Sequence, residues 1–230
     1  IENGISDHNY EGKVGVYVKV RVCLILSFLF SVIFISAFPI VSWSYSDFYS
    51  IEKLIKEEST FVESGVKIEY ESNMPLEDTL NSIQKKVKKH YNSSISEVTQ
   101  NSIFMKCNNL EINITVYENK EKTLVDAVIT NFSKDKKLLN LIQDLSQLQV
   151  NTSSKPRYFK YIKGKINNTE EGLDLITEAQ NIKDINALDI HNGYVGTAKL
   201  QDGERVNFAV SNYDKGTYLV IGTPIIFSTY

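Results

Sequence analysis

An α+β fold, with antiparallel sheet covered by helices on one face, is what the sequence predicts, and three observations predict it. Apolar and polar residues alternate over short runs such as Val66, Ile68, Tyr70 and Leu110, Ile112, Ile114, Val116, the period of a half-buried strand. Elsewhere the apolar spacing is helical, as in Leu76, Leu80, Ile83, Val87 and Tyr91. The order strand, helix, several strands then occurs twice, so the expected architecture is two similar two-layer β-α-β halves with helices packed on one sheet face.

The 230 residues are 42% hydrophobic and 23% charged, which is enough apolar material for a core and too much for a disordered chain. The formal charge is −3. Lys13, Lys19 and Arg21 cancel Glu2, Asp7 and Glu11 in the first 42 residues, so the remainder carries the same charge. Nucleic-acid binding depends on cations that neutralise phosphates, and a mildly acidic body argues against it. Cys23 and Cys107 supply no disulfide framework, which an exported chain with a core of this size can do without.

In chain order, residues 1–21 are an N-terminal tail: 1–15 show no periodicity and are set aside as of processing or reading-frame origin, and Val16, Val18, Val20 and Val22 fall where a signal peptide's short basic start would. Val22–Val41 holds no charge over the about 20 residues a bilayer-spanning helix needs. Lys13, Lys19 and Arg21 precede it, and basic residues stay on the cytoplasmic side, which puts the chain after about residue 42 outside. Residues 22–42 are therefore a signal peptide or transmembrane anchor. Ile35-Ser36-Ala37 and Ser42-Trp43-Ser44 fit a cleavage site loosely, leaving membrane-anchored and secreted forms both open.

Residues 43–60 form a linker in which Ile51, Leu54 and Ile55 permit one short amphipathic helix. The first half, 61–150, opens with the Val66–Tyr70 strand. Asn73-Met74-Pro75 breaks it, and the helix that follows has Glu77 and Asp78 in its first turn and Lys85, Lys86, Lys88 and Lys89 towards its end, the charge order a helix dipole favours. Strands are expected near 102–107, 110–117 and 123–132, joined at Asn108-Asn109 and across residues 118–122. A second helix over about 134–149, with Ser133 as N-cap, buries Leu138, Leu141, Ile142, Leu145 and Leu148.

The polar stretch from Asn151 to Pro156 marks the boundary with the second half, 151–230. A strand over 157–166 precedes a helix capped by Thr169, with Glu170 and Glu171 in its first turn and Leu173, Ile176, Ala179 and Ile182 on its apolar side. Strands near 187–190, 194–200, 204–211 and 217–227 follow, with turns at Asp202-Gly203 and Asp214-Lys215-Gly216. Laying Leu80 and Ile83 on Leu173 and Ile176 brings Val116 and Thr123 near Val210 and Thr217, so the halves repeat in order more than in identity. The β-branched and aromatic run from Thr217 is a mostly buried strand, and Pro224, which has no amide hydrogen, belongs at its edge, bulge or exit.

The block Leu219-Val220-Ile221-Gly222-Thr223-Pro224-Ile225-Ile226 with Tyr230, the hairpin Asn212–Thr217 before it, and Asn192-Gly193-Tyr194 resemble the bacterial YwmB family over roughly residues 61–230. The resemblance implies a fold like the repeated β-α-β units of the TATA-box-binding protein, an extracytoplasmic address, and no assigned catalytic residues.

Motifs for catalysis are few. The chain has no H-E-x-x-H, no paired cysteines, no G-x-S-x-G and no glycine-rich phosphate loop, so no catalytic, cofactor or metal residue is assigned. Of three histidines, His8 falls in the tail and His90 ends a lysine-rich helix. Asp189-x-His191 in a strand would put base and orienter on one face, against the plainer reading of polar residues at a turn. Two basic clusters, Lys85, Lys86, Lys88, Lys89 and Lys155, Arg157, Lys160, Lys163, Lys165, suit anionic lipid or wall polymer, or else a solvated helix face and an edge strand guarded by lysines. Tyr158, Phe159 and Tyr161 interleave with the second cluster. The expected function is a non-enzymatic extracytoplasmic binding module at the bacterial envelope, needing no cofactor, with an envelope protein or an anionic lipid or wall polymer as partner. The competing expectation is a hydrolase or transferase on an anionic envelope polymer, using Asp189 and His191.

Overall fold

The period-two runs form strands, and they join one antiparallel sheet in the computed structural model, which describes residues 45–91 and 97–227. In chain order the elements are α1 (Tyr45–Glu58), β1 (Thr60–Ser72), α2 (Leu76–Tyr91), β2 (Glu97–Val98), β3 (Ser102–Cys107), β4 (Leu110–Asn119), β5 (Lys122–Asn131), α3 (Leu138–Leu148), β6 (Arg157–Ile166), α4 (Thr169–Thr177), β7 (Ile182–Ile190), β8 (Gly193–Leu200), β9 (Arg205–Tyr213) and β10 (Gly216–Thr223). Across the sheet they run β2-β3-β4-β5-β1-β6-β10-β9-β8-β7. Outward from the central β1–β6 pair, the order is β5, β4, β3, β2 on one side and β10, β9, β8, β7 on the other. The Val22–Val41 run lies outside the described residues, and among those described no helix is long and apolar enough to cross a membrane.

Residues paired across a ladder share a face. On one face Val66, Ile68 and Tyr70 line up with Ile129, Ala127 and Val125 of β5, and Ile162 lines up with Ile221. All of these are buried, and α2 and α3 cover the β3–β5–β1 part with Leu80, Ile83, Val87, Leu141 and Leu145. Helix α4 lies over β9 and β10, where Gly172 lets its backbone approach Ile166 and Val210.

The segment expected to be a linker is instead part of this layer. Phe48, Ile51 and Ile55 of α1 are buried against β1 and β6, a burial that stabilises by about 2 kcal/mol for each side chain. Its Glu52 is also buried, and it explains why α3 starts at Leu138 rather than near 134. One carboxylate oxygen accepts from the Leu138 amide at 3.0 Å and from Lys56 Nζ at 2.7 Å, so the cap arrives from another helix. Lys137, at the N-cap position, makes no side-chain cap, and Ser133 meets Asn131 through its backbone, its amide donating to Oδ1 and its carbonyl accepting from Nδ2. In α4 the cap is Asn168, whose Oδ1 accepts from the Glu171 amide, with Thr169 the first helical residue. That helix ends at Thr177, and Ile182 begins β7 instead of extending the helix.

Three further strand expectations change. The lysine-bearing β6 is not an edge strand: β1 and β10 flank it, because its own apolar residues, Phe159, Tyr161 and Ile162, need cover. The edges are the two-residue β2, which carried no pattern to read, and β7, which starts at Ile182 and bulges after Lys183 where Asp184 has φ 51°. β10 ends at Thr223, and the cis peptide to Pro224 turns the chain out of the ladder. The stretch joining β5 and α3 to β6 is tied back to β1 by Asn73 N–H to the Asn151 carbonyl and Ser153 N–H to the Glu71 carbonyl, each 3.0 Å.

Gly65 is small for a definite reason. A Cβ there would sit 2.2 Å from Cε1 of Tyr161, a ring that is buried and whose hydroxyl donates to Glu63 at 3.1 Å. Gly65→Ala should cost about 2 kcal/mol in urea unfolding, because the ring has nowhere to go; an unchanged midpoint would show that it can swing away.

Burial pushes the Tyr70 hydroxyl up to about 12, with the hydrogen bond from the Val150 amide pulling the other way. Tyr91 is displaced in the same direction, again chiefly by burial. A folded pKa above the unfolded value contributes stability that is whole below about pH 10 and is lost as pH rises towards about 12. Stability should therefore fall across that window by at most about 1.4 kcal/mol per pH unit for each tyrosine. Tyr70→Phe should make the fall shallower, as read by unfolding at stepped alkaline pH.

Candidate binding surface

Alternation sends every second strand residue to the opposite side, and among the described residues no helix covers that side. Leu124, Asp126 and Val128 of β5, Lys67 and Glu69 of β1, and Val195 and Thr197 of β8 are all partly exposed there. The face is thus built by strands from both sides of the central pair.

Its β1–β5 part is a charge ladder. Lys67 Nζ lies 2.6 Å from Asp126 and 2.9 Å from Glu69, while Glu69 also receives Arg157 and Glu71 receives Lys122 at 2.8 Å. Partial burial pulls the Lys67 ammonium down, and its hydrogen bonds to Asp126 and Glu69 outweigh that, so its pKa stands above the ordinary lysine value. Lys122 and Ser153 hold the Glu71 carboxyl below the usual range.

At the centre, Phe159 and Tyr161 are covered by the segment after β10. Phe227 meets them edge-on with centroids 6.5 and 4.9 Å away, and the Asn207 amide donates to the Pro224 carbonyl. Towards the β9–β10 hairpin, Tyr218 and Tyr213 stand 6.4 Å apart, with Lys163 Nζ 5.0 Å from the Tyr218 ring.

The second basic cluster therefore divides by parity. Lys160 and Tyr158 turn to the helix side, where Lys160 Nζ lies 4.9 Å over the Phe48 ring and 3.3 Å from Glu204. Arg157, Lys163 and Lys165 stay on the open face with Phe159 and Tyr161. In the first cluster Lys85, Lys88 and Lys89 are exposed on α2, while Lys86 donates to the Gln149 carbonyl. Tyr213 was not singled out from the sequence; its place two residues beyond Ser211 in β9, opposite Gly216, is what aims it at this face.

Asp189 and His191 come together without forming a dyad. They line an open depression of about 480 Å³ with Glu170, Asn192, Tyr194 and Asn212, no hydrogen bond joins them, and His191 has already left β7 for the turn. His90 pairs with Asp144 at 3.3 Å, and His8 lies outside the described residues. Among the described residues no group of three or more His, Cys, Asp or Glu side chains is placed to hold a metal.

No family model matches this sequence, and no curated protein does. Among solved structures the chain is similar to the crystal structure of DynU16, a protein of the dynemicin biosynthetic locus. That likeness has 10% identity and a TM-score of 0.24, over 69% of this chain and 85% of that one.

Proposed function

We propose that the body is a non-enzymatic binding module outside the cell membrane, anchored by residues 22–42 or released when they are cleaved, and that it meets an envelope partner through its open sheet face. The observation that carries the reading is that face: a surface free of helices among the described residues, to which strands on both sides of the β1–β6 pair contribute. The mirrored strand order supports two duplicated halves in an arrangement like the TATA-box-binding protein, and with it kinship to the YwmB family. Nucleic acid is not the partner in this reading, because the chain is acidic overall and its apolar leader would carry it outside.

A photoreactive side chain at Asn113 or Thr197, both on the open face, should cross-link to an envelope component in living cells, and one at Asn81 on α2 should not. Protease added to protoplasts should digest the body. Cross-linking from Asn81 alone, or a body that survives the protease, would overturn the reading.

A further inference from the structure

We infer that the β6–β10–β9 end of the open face is a binding site for an anionic, sugar-bearing polymer, with Tyr213 and Tyr218 as its apolar shelf and Lys163 and Lys165 as its charge. The inference rests on the proposal that this face meets the envelope, and adds the chemistry of the ligand.

Cross-strand register makes the site. Lys165 is paired with Tyr218 and Lys163 with Val220, so the two cations lie on the tyrosines' side of the sheet, and Lys163 Nζ is 5.0 Å from the Tyr218 ring. Tyr213 is 40% exposed, which is high for so large a ring in a strand. Gly216 keeps the hairpin open for the second cation, since a Cβ there would fall 2.4 Å from Cε of Lys165.

Charge separates this end of the face from the other. Lys67, Lys106 and Lys122 each already hold a carboxylate, at 2.6, 2.6 and 2.8 Å. Lys163 and Lys165 have no ion pair among the described residues, so an incoming anion displaces no carboxylate from them. An exposed ring and a half-buried one beside cations suit a ligand that alternates C–H-rich sugar faces with phosphate or carboxylate groups. The rings are tilted by 44°, so they do not offer successive bases the parallel faces that nucleic-acid stacking uses.

The test uses the full chain in non-ionic detergent, titrated with glucosylated poly(glycerol phosphate), uncharged dextran, a single-stranded deoxythymidine oligonucleotide and phosphatidylglycerol vesicles. The glycosylated polyphosphate should bind most tightly. Lys163→Gln with Lys165→Gln should weaken it about 10-fold at low salt and flatten its salt dependence. Tyr213→Ala should weaken it about 5-fold with the salt slope unchanged. Lys85→Gln with Lys88→Gln, exposed on α2 and away from the open face, should leave it unaltered, and thermal unfolding of each variant verifies its fold. The proposal is overturned if the double lysine variant binds as the parent does, if the oligonucleotide or the vesicles bind more tightly, or if the polymer does not bind. Should cross-links from Asn113 and Thr197 persist in that last case, the ligand assignment fails while the face remains the contact surface.

Discussion

Ile221→Asp unfolds the body. Ile221 is wholly buried in β10, paired in register with Ile162 on one side and Phe208 on the other, both also buried. A carboxylate there has neither water nor a cation, and its burial cost, even if relieved by protonation, takes up most or all of the about 5–15 kcal/mol a domain of this kind holds. Ile221→Val removes one methylene and should cost only about 1 kcal/mol. Circular dichroism should show a lost cooperative transition for the first variant and a small downward shift for the second. An Ile221→Asp protein with the parental melting temperature would mean that β10 does not lie in the core.

Glu52→Leu is the second large effect, at about 3 kcal/mol or more in urea unfolding. Two groups lose a partner at once: the Leu138 amide loses its cap, and with it α1 loses its tie to α3, while Lys56 loses its carboxylate at 2.7 Å. Lys56 is only 12% exposed and keeps the Lys136 carbonyl at 2.9 Å as its remaining acceptor. Glu52→Gln preserves an oxygen for the amide and should cost about half as much. Adding Lys56→Met to Glu52→Leu should recover part of the loss, since an unpaired buried cation is worse than an apolar pair. Additive losses in the double variant would show that the ion pair is not what matters.

How far the sequence could be read depends on how far apart the interacting residues lie. Helix α2 and strands β3, β4 and β5 were legible because Leu80, Ile83, Val87 and the alternation from Leu110 to Val116 announce themselves within one element. The start of α3 was not legible, because its cap, Glu52, is 86 residues away and no local pattern points to it. Position in the sheet was equally hidden: lysines on β6 look like guards of an edge, and only the register with β1 and β10 puts them mid-sheet. For the candidate surface, the basic and aromatic composition of β6 was visible, but its division into two faces needed the pairing partners. The aim of Tyr213, and the lack of an ion pair at Lys163 and Lys165 among the described residues, belong to tertiary structure alone.

The β1–β6 seam has one more consequence. Nine register positions, from Thr60 with Lys165 to Glu69 with Arg157, join the front of the molecule to its back through backbone amides. Cutting the chain between Asn151 and Pro156 would release two pieces, each baring a long strand flank with unmet donors and acceptors. Such pieces would seek each other or their own kind, so a chain cut there would re-form a two-piece complex or precipitate.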